Sequence, residues 1–207
     1  MITQLAAIAD VHGNSWALDA VLADIARRGI GTIVNLGDCV YGVEGDSLAD
    51  VVVARLKARG LTLAVAESCT GGNLSAQLTD IPGVSAVLIE SAVVYSNAAK
   101  VRRLGVAPSL LEAFGAVSAE VARAMAVGMR LSSGADLALS ATGIAGPGGA
   151  TPEKPVGLAH IALAWAGGVV AEEARSFGAF RWQIKDRAAK RALNLLRLHL
   201  ERGDPHG

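Results

Sequence analysis

The 207 residues include 19 basic and 19 acidic side chains and are 52% hydrophobic but only 4% aromatic. That length supports one good core, or one core with a small appendage. Zero formal net charge offers no bulk attraction for nucleic acid or an anionic membrane, and two cysteines, Cys39 and Cys69, make neither a disulfide framework nor a zinc site, which points to a reducing cytoplasm.

The first segment, "ITQLAAIAD", reads as a buried strand; Asp10 and His12 interrupt its apolar run, so it does not read as a signal peptide. Residues 15–29 place Leu18, Val21, Leu22 and Ile25 on one helical face, and "GTIVNLGD" is a second strand, so residues 1–38 form one βαβ unit. Beyond the glycine-rich stretch at 42–47, Ser47 is placed to cap a helix, with Asp50 at its third position and Gly60 as its stop. "LTLAVAE" is a strand feeding the loop "SCTGG", and residues 72–79 form a short helix. "SAVLIESAVVYS" is strand-like, Asn97 caps the helix "NAAKVRRLG", and Ser118 caps another with Val121, Met125 and Met129 four residues apart. "ADLALSATG" is a buried strand ending in a second glycine-rich loop, "GIAGPGGATPEKPVG". Two strands follow near 156–166 and 169–177, paired as a hairpin at Gly167-Gly168, and a helix from about 181 to 201 closes the chain. Its Arg181, Lys185, Arg187, Lys190, Arg191 and Arg197 read as a solvated basic face. The apolar run from Val156 is too short and too broken by glycine to span a bilayer. The expected fold is α/β: a layered mixed sheet with helices packed on it, plus an N-terminal βαβ appendage. The expected protein is soluble and cytoplasmic, with no nucleic-acid or membrane partner.

Two places hold chemistry. At the N-terminus, Asp10, His12 and Asp38 follow two strands and would meet at a sheet edge. Asp-x-His and Gly-Asp suit a hard dinuclear metal site, and the stretch resembles the start of the calcineurin-like metallophosphoesterases. The Gly-Asn-His and Gly-His-x-His blocks of that family are absent, so a truncated βαβ segment serving as packing is the preferred reading.

The second place is the loop after "LAVAE". Glycines at a strand–helix junction can cradle an anion or form an oxyanion hole beside a nucleophile. Ser68 and Cys69 are the two nucleophile candidates, and on an extended segment only one faces the pocket. His160 sits mid-strand and His199 and His206 near the end of the chain, which leaves Lys100 as base, with Tyr95 to relay or orient the proton. Structural readings stand beside these: Lys100 as a surface helix residue, Tyr95 as a core aromatic, and the second glycine loop as a strand crossover. Glu67 reads as structural, hydrogen-bonding the loop.

"LAVAESCTGG", "VVYSNAAK", "GAVSAEVARAMAVG", "ATGIAGPGG" and "TPEKPVG" together resemble the C-terminal domain of the CinA family, from about residue 48 to about 200. The resemblance implies a metal-free, cofactor-free amidohydrolase converting nicotinamide mononucleotide to nicotinate mononucleotide and ammonia. Carried over by position, it places the catalytic serine, tyrosine and lysine at Ser68, Tyr95 and Lys100. It makes Thr70, Gly71, Gly72, Asn97, Thr142, Gly143, Gly146, Gly148 and Arg181 candidates for substrate binding, with Arg181 set against phosphate. Amides from Cys69 to Gly72 become the oxyanion candidates. A homodimer is the implied assembly. The domains then read as residues 1–45, the phosphoesterase-like segment; 46–203, the amidohydrolase domain; and 204–207, a tail. Two local departures stand out: Ala98 replaces a usual glutamate in Asn-Glu-Ala-Lys, and Ala179-Phe180 replaces the Gly-Asp of Gly-Asp-Arg. Full-length members also carry a molybdopterin-binding-like domain before this one, where this chain has its phosphoesterase-like segment. Competing functions are a non-catalytic nucleotide- or partner-binding module of the same fold, and a metal-dependent phosphoesterase acting through the N-terminal segment.

Overall fold

A computed structural model describes residues 6–8, 24–28, 30, 33–35, 47–176 and 180–202. The chain divides into two compact units, residues 1–51 and 52–207. In the first, β1 (Ala6–Ile8) pairs in parallel with β2 (Ile33–Asn35), Ala6 lying opposite Ile33, as a βαβ connection requires. Between them, residues 24–27 are helical, and Asp24 accepts from Arg27 at 2.9 Å and from Arg28 at 2.6 Å. Asp10, His12, Asp38 and Cys39 lie outside the described residues, as do Leu18, Val21, Leu22 and the tail.

Helix α1 (Leu48–Arg59) starts where a capping box forms. The Asp50 amide donates to Ser47 Oγ at 3.2 Å, and the Ser47 amide donates back to the Asp50 carboxylate at 3.0 Å.

The second unit is built on a five-stranded sheet: β3 (Leu63–Glu67), β4 (Leu88–Val93), β5 (Leu137–Gly143), β6 (Leu158–Trp165) and β7 (Gly168–Arg175), in the order β4-β3-β5-β6-β7. β3 is parallel to both β4 and β5, while β6 and β7 run antiparallel, so the late hairpin makes the sheet mixed. Its turn is at Ala166-Gly167, one residue before the expected Gly167-Gly168. Central position explains the apolar runs. β3 is buried at every residue, whereas the edge strands β4 and β7 alternate.

Five of the buried strand residues facing one side are alanines, and this lets a helix come close. Ala64, Ala66 and Ala138 pack in one cluster with Val121, Met125 and Met129 of α5 (Ala119–Ser133), and Ala122 and Ala126 of that helix meet Ala162 and Ala164. Leu63, Val65, Leu139, Ile161 and Leu163 alternate with these alanines and so belong to the opposite face. The last helix, α6 (Arg181–Arg202), packs on β5, β6 and α2 (Asn73–Thr79).

Between β4 and α5 lie α3 (Asn97–Leu104) and α4 (Pro108–Phe114), the latter not expected from the sequence. The cap of α3 is Ser96, whose hydroxyl accepts from the Ala99 amide, and Asn97 is the first helical residue rather than the cap. Ser118 caps α5 as expected, accepting from the Val121 amide at 3.3 Å. Gly128 of α5 sets how closely α3 docks: a Cβ there would lie 1.9 Å from the Leu104 carbonyl oxygen. That contact fixes the helix bearing Lys100.

Candidate active site

The site forms at the C-terminal ends of the parallel strands, where an open α/β sheet presents its loops. Backbone pairing holds the end of β3 from both sides. The Val94 amide donates to the Glu67 carbonyl at 2.8 Å, and the Ser68 amide donates to the Ala141 carbonyl at 2.9 Å. Ser68 then opens a tight turn, closed by the Gly71 amide on the Ser68 carbonyl at 3.1 Å. Gly71 and Gly72 follow with φ of 60° and 95°, values that L side chains rarely adopt.

Glu67 pins this turn. Its fully buried carboxylate accepts the amides of Gly72 at 2.9 Å, Leu74 at 3.1 Å and Ser75 at 2.8 Å, together with the Ser75 hydroxyl. A carboxylate therefore already fills the amide-rich start of α2, which a phosphate would otherwise want. Gly71 and Gly72 also spend their amides inside the protein. Of the four amides from Cys69 to Gly72, only those of Cys69 and Thr70 have no carbonyl or carboxylate acceptor among the described residues. Both lie against the Cys69 sulfur, a weak acceptor, so of the four they are the donors an oxyanion could most readily recruit. Thr70 is fully buried, and its Oγ1 has no hydrogen-bond partner among the described residues.

Lys100, in the first turn of α3, is 1% exposed, and its stem crosses the core to bring Nζ to Ser68 Oγ at 3.0 Å. Its other contacts are the carbonyls of Val94 at 3.1 Å and Tyr95 at 3.3 Å. It is therefore not a surface helix residue. Burial pushes its pKa below the ordinary 10.5, against a smaller upward pull from the neighbouring Cys69. All three partners are neutral. A protonated amine donates to all three; a neutral one donates to the two carbonyls and takes the Ser68 hydroxyl proton on its lone pair. The arrangement accommodates either state.

Cys69 is buried beside Ser68, and burial, ahead of the neighbouring Glu67 charge, raises its thiol to about 12. It stays protonated at neutral pH, when the thiolate is the reactive form. Of the two neighbours, Ser68 is the one hydrogen-bonded to the amine.

Tyr95 is 60% exposed, so it is not a core aromatic. Its carbonyl meets Lys100, but its hydroxyl accepts from an Arg181 guanidinium nitrogen at 3.0 Å. The other terminal nitrogen of Arg181 donates to the Gly146 carbonyl in the second glycine loop. Arg181 thus ties the end of β4 to that loop. Gly143 and Gly146 are small for internal reasons: a Cβ on Gly143 would lie 2.7 Å from the Leu158 carbonyl, and one on Gly146 would lie 2.7 Å from the Val156 side chain. Around Gly148 the space is open. Thr142 is buried, and its hydroxyl donates to the Ala116 carbonyl at 2.8 Å. Asn97 is exposed beside Ser96. Ala98 is also exposed, and Phe180 is 72% exposed. His160 is buried on β6 opposite Thr142, where burial lowers its pKa.

From its sequence, Lys185 belongs to a solvated basic face. Instead it is half-buried, with Nζ 3.5 Å from the position a Gly71 Cβ would occupy. The signal was its spacing: it follows Arg181 by four residues, so both share one helix face.

The family model for the CinA C-terminal domain matches residues 45–200. The chain belongs to the CinA family. A CinA-like protein of Anaeromyxobacter sp. is 52% identical over 164 residues, which is 79% of this chain and 40% of that protein. A putative competence-damage inducible protein of Caldicellulosiruptor saccharolyticus is 49% identical over 162 residues, covering 78% of this chain and 39% of its own. The chain thus spans about two fifths of the length of these curated relatives. The crystal structure of the competence/damage inducible protein CihA from Agrobacterium tumefaciens superposes with a TM-score of 0.72 at 42% identity, covering 74% of this chain and 93% of that one. These matches establish the CinA fold for the second unit. No helix among the described residues is long and apolar enough to cross a membrane.

Proposed function

We propose that this CinA domain is an amidase that hydrolyses the carboxamide of nicotinamide mononucleotide, giving nicotinate mononucleotide and ammonia. The observation that carries the reading is the buried Lys100 amine, 3.0 Å from Ser68 Oγ and contacting only neutral groups. A neutral amine there takes the hydroxyl proton as Ser68 Oγ attacks the carboxamide carbon. The oxyanion that forms is met by the Cys69 and Thr70 amides. Lys100 then gives its proton to the departing nitrogen, so ammonia leaves and an ester to Ser68 remains. Water, deprotonated by the same amine, hydrolyses that ester and restores the serine.

Tyr95 is expected to relay or orient the proton, and two contacts bear on that role. Its hydroxyl orients Arg181, while its carbonyl helps hold the Lys100 amine. That diversion of the phenol also favours a second reading, a nucleotide-binding module of the same fold without turnover. Ammonia release from nicotinamide mononucleotide, with and without chelator, decides between them for the natural protein and Ser68→Ala. Chelator-resistant release that is lost in Ser68→Ala supports the amidase. Absence of release from the natural protein refutes it and leaves the binding module. Release abolished by chelator would return attention to Asp10, His12 and Asp38.

A further inference from the structure

We infer that the Ser68 site transfers acyl groups as well as hydrolysing them. It passes the acyl group held on Ser68 to small amines that are unprotonated at neutral pH, of the hydroxylamine class, giving a substituted amide in place of the acid. The inference rests on the amidase reading, because it needs the ester to Ser68 that this reading forms.

The choice of nucleophile in the second half of the reaction falls to one group. Among the described residues, the Lys100 amine at 3.0 Å is the only hydrogen-bond contact of Ser68 Oγ. The nearest carboxylate on the same turn, Glu67, is committed to three amides and the Ser75 hydroxyl, so it is not free to hold a water. The Cys69 thiol, raised to about 12, stays protonated and does not draw the acyl group to itself. A single general base of this kind takes a proton from nitrogen as well as from oxygen.

The forward reaction already places a nitrogen beside that base. Ammonia leaves next to Nζ, which supplies its last proton, so by microscopic reversibility a neutral amine of similar size enters the same place and attacks the same carbon. The surroundings suit such a nucleophile. An attacking amine spends its lone pair on carbon and presents only N–H groups to the protein. Beside Nζ stand the carbonyls of Val94 at 3.1 Å and Tyr95 at 3.3 Å, each with a second lone pair beyond its bond to Lys100. Burial sets the size limit: Ser68 is 7% exposed and Lys100 1%. Ammonia itself is mostly protonated near neutral pH and competes poorly with water. Hydroxylamine is mostly unprotonated there and adds one oxygen of bulk.

The step balances without a further reactant. The amine nitrogen bonds to the acyl carbon, and Lys100 takes the proton that nitrogen sheds. The bond from the acyl carbon to Ser68 Oγ breaks, and Lys100 returns the proton to the serine. The nicotinoyl ester and hydroxylamine thus give the hydroxamate of the nucleotide and free Ser68, with nothing oxidised or reduced.

The test incubates the natural protein and Ser68→Ala with nicotinamide mononucleotide and rising hydroxylamine at neutral pH, and measures ammonia, acid and hydroxamate chromatographically. The ratio of hydroxamate to acid should rise in proportion to hydroxylamine, without a fall in ammonia release. Ser68→Ala should form hydroxamate at least about 100-fold more slowly. O-Benzylhydroxylamine, the same nucleophile with added bulk, should give at least about tenfold less product. Ammonia release with acid as the sole product at every hydroxylamine concentration overturns the transfer and leaves the amidase standing, as does equal hydroxamate from Ser68→Ala. Equal product from the benzyl compound contradicts the placement beside Lys100 and overturns the inference as stated. If the natural protein forms neither ammonia nor hydroxamate, the amidase reading and the transfer fall together.

Discussion

Replacing Lys100 by methionine keeps the unbranched stem in the core and removes the amine that the proposed mechanism uses to take the Ser68 proton. The loss can be bounded from the site. Without Nζ, Ser68 Oγ has no base within hydrogen-bond reach, since the amine at 3.0 Å is its only such contact among the described residues. A positioned general base is worth about 10²- to 10⁴-fold, or about 3 to 5 kcal/mol in the barrier. Lys100→Met should therefore lose at least a hundredfold in kcat with a smaller change in KM. The pH dependence gives an independent check. Because burial lowers the Lys100 pKa from 10.5, the reactive neutral form accumulates as pH rises through that lowered value. The rate of the natural protein should climb along one limb centred below 10.5. Stability should follow the same sign. Between the lowered folded value and 10.5 the unfolded chain binds the extra proton, so stability rises with pH through that window, and the desolvation penalty is fully present below it. The assay is ammonia release under saturating nicotinamide mononucleotide across that range, with thermal denaturation in the same buffers. A pH-independent rate, or a Lys100→Met protein within tenfold of the natural one, would refute the role of the amine. Loss of the stability slope in Lys100→Met would tie both effects to one group.

Glu67→Gln replaces one carboxylate oxygen by an amide nitrogen facing backbone N–H donors. Each buried donor left without an acceptor costs about 1 to 3 kcal/mol. Chemical denaturation should register that loss, with turnover falling as the Cys69 and Thr70 amides shift. Cys69→Ala should keep turnover within a few-fold, and iodoacetamide should leave the natural protein active, because a thiol raised to about 12 is protonated at neutral pH. Rapid inactivation by the reagent would contradict this. Gly128→Ala forces a methyl group against the Leu104 carbonyl, which cannot yield without moving α3. Overpacking of this kind costs about 1 to 3 kcal/mol. Melting temperature and kcat should fall together, because the same helix carries Lys100.

Local chemistry and strand position made much of this legible. β3 and β5 are central strands buried on both faces, so their apolar runs announce them. Ser118 heads α5 with no rival residue nearby. Ser96 and Asn97 are both good caps, and the choice fell to Ser96 because its extended backbone, φ −88° and ψ 159°, lets its hydroxyl accept from Ala99. The strand expected from Ser85 begins only at Leu88, because Gly83, at φ 75°, caps a short 3-10 turn over Val84–Ala86. The seven-residue α4 has no fully buried residue to mark a face, and Pro108 at its start was its one signal. Lys185 escaped for another reason. Spacing places it one turn from Arg181, but its burial against Gly71 depends on how α6 docks beside α2, a tertiary fact.

That docking bears on the division of labour between the two glycine-rich loops. A strand–glycine–helix junction of this kind serves elsewhere as a phosphate cradle, and the sequence left that open. Glu67 decides against it by occupying the amides of Gly72, Leu74 and Ser75. The same three bonds hold Ser68 at the end of β3, within reach of Lys100. A residue that closes the anion site at α2 therefore also builds the turn that carries Ser68. If the substrate carries a phosphate, cations elsewhere must hold it, and the second unit offers Arg181 and Lys185 on the helix facing that turn. Moving the phosphate off the turn leaves only Cys69 and Thr70 amides to meet negative charge beside Ser68. Charge developing on an attacked carbonyl would then compete for them only with the weakly accepting Cys69 sulfur, a separation that an amidase needs and a simple phosphate-binding loop does not.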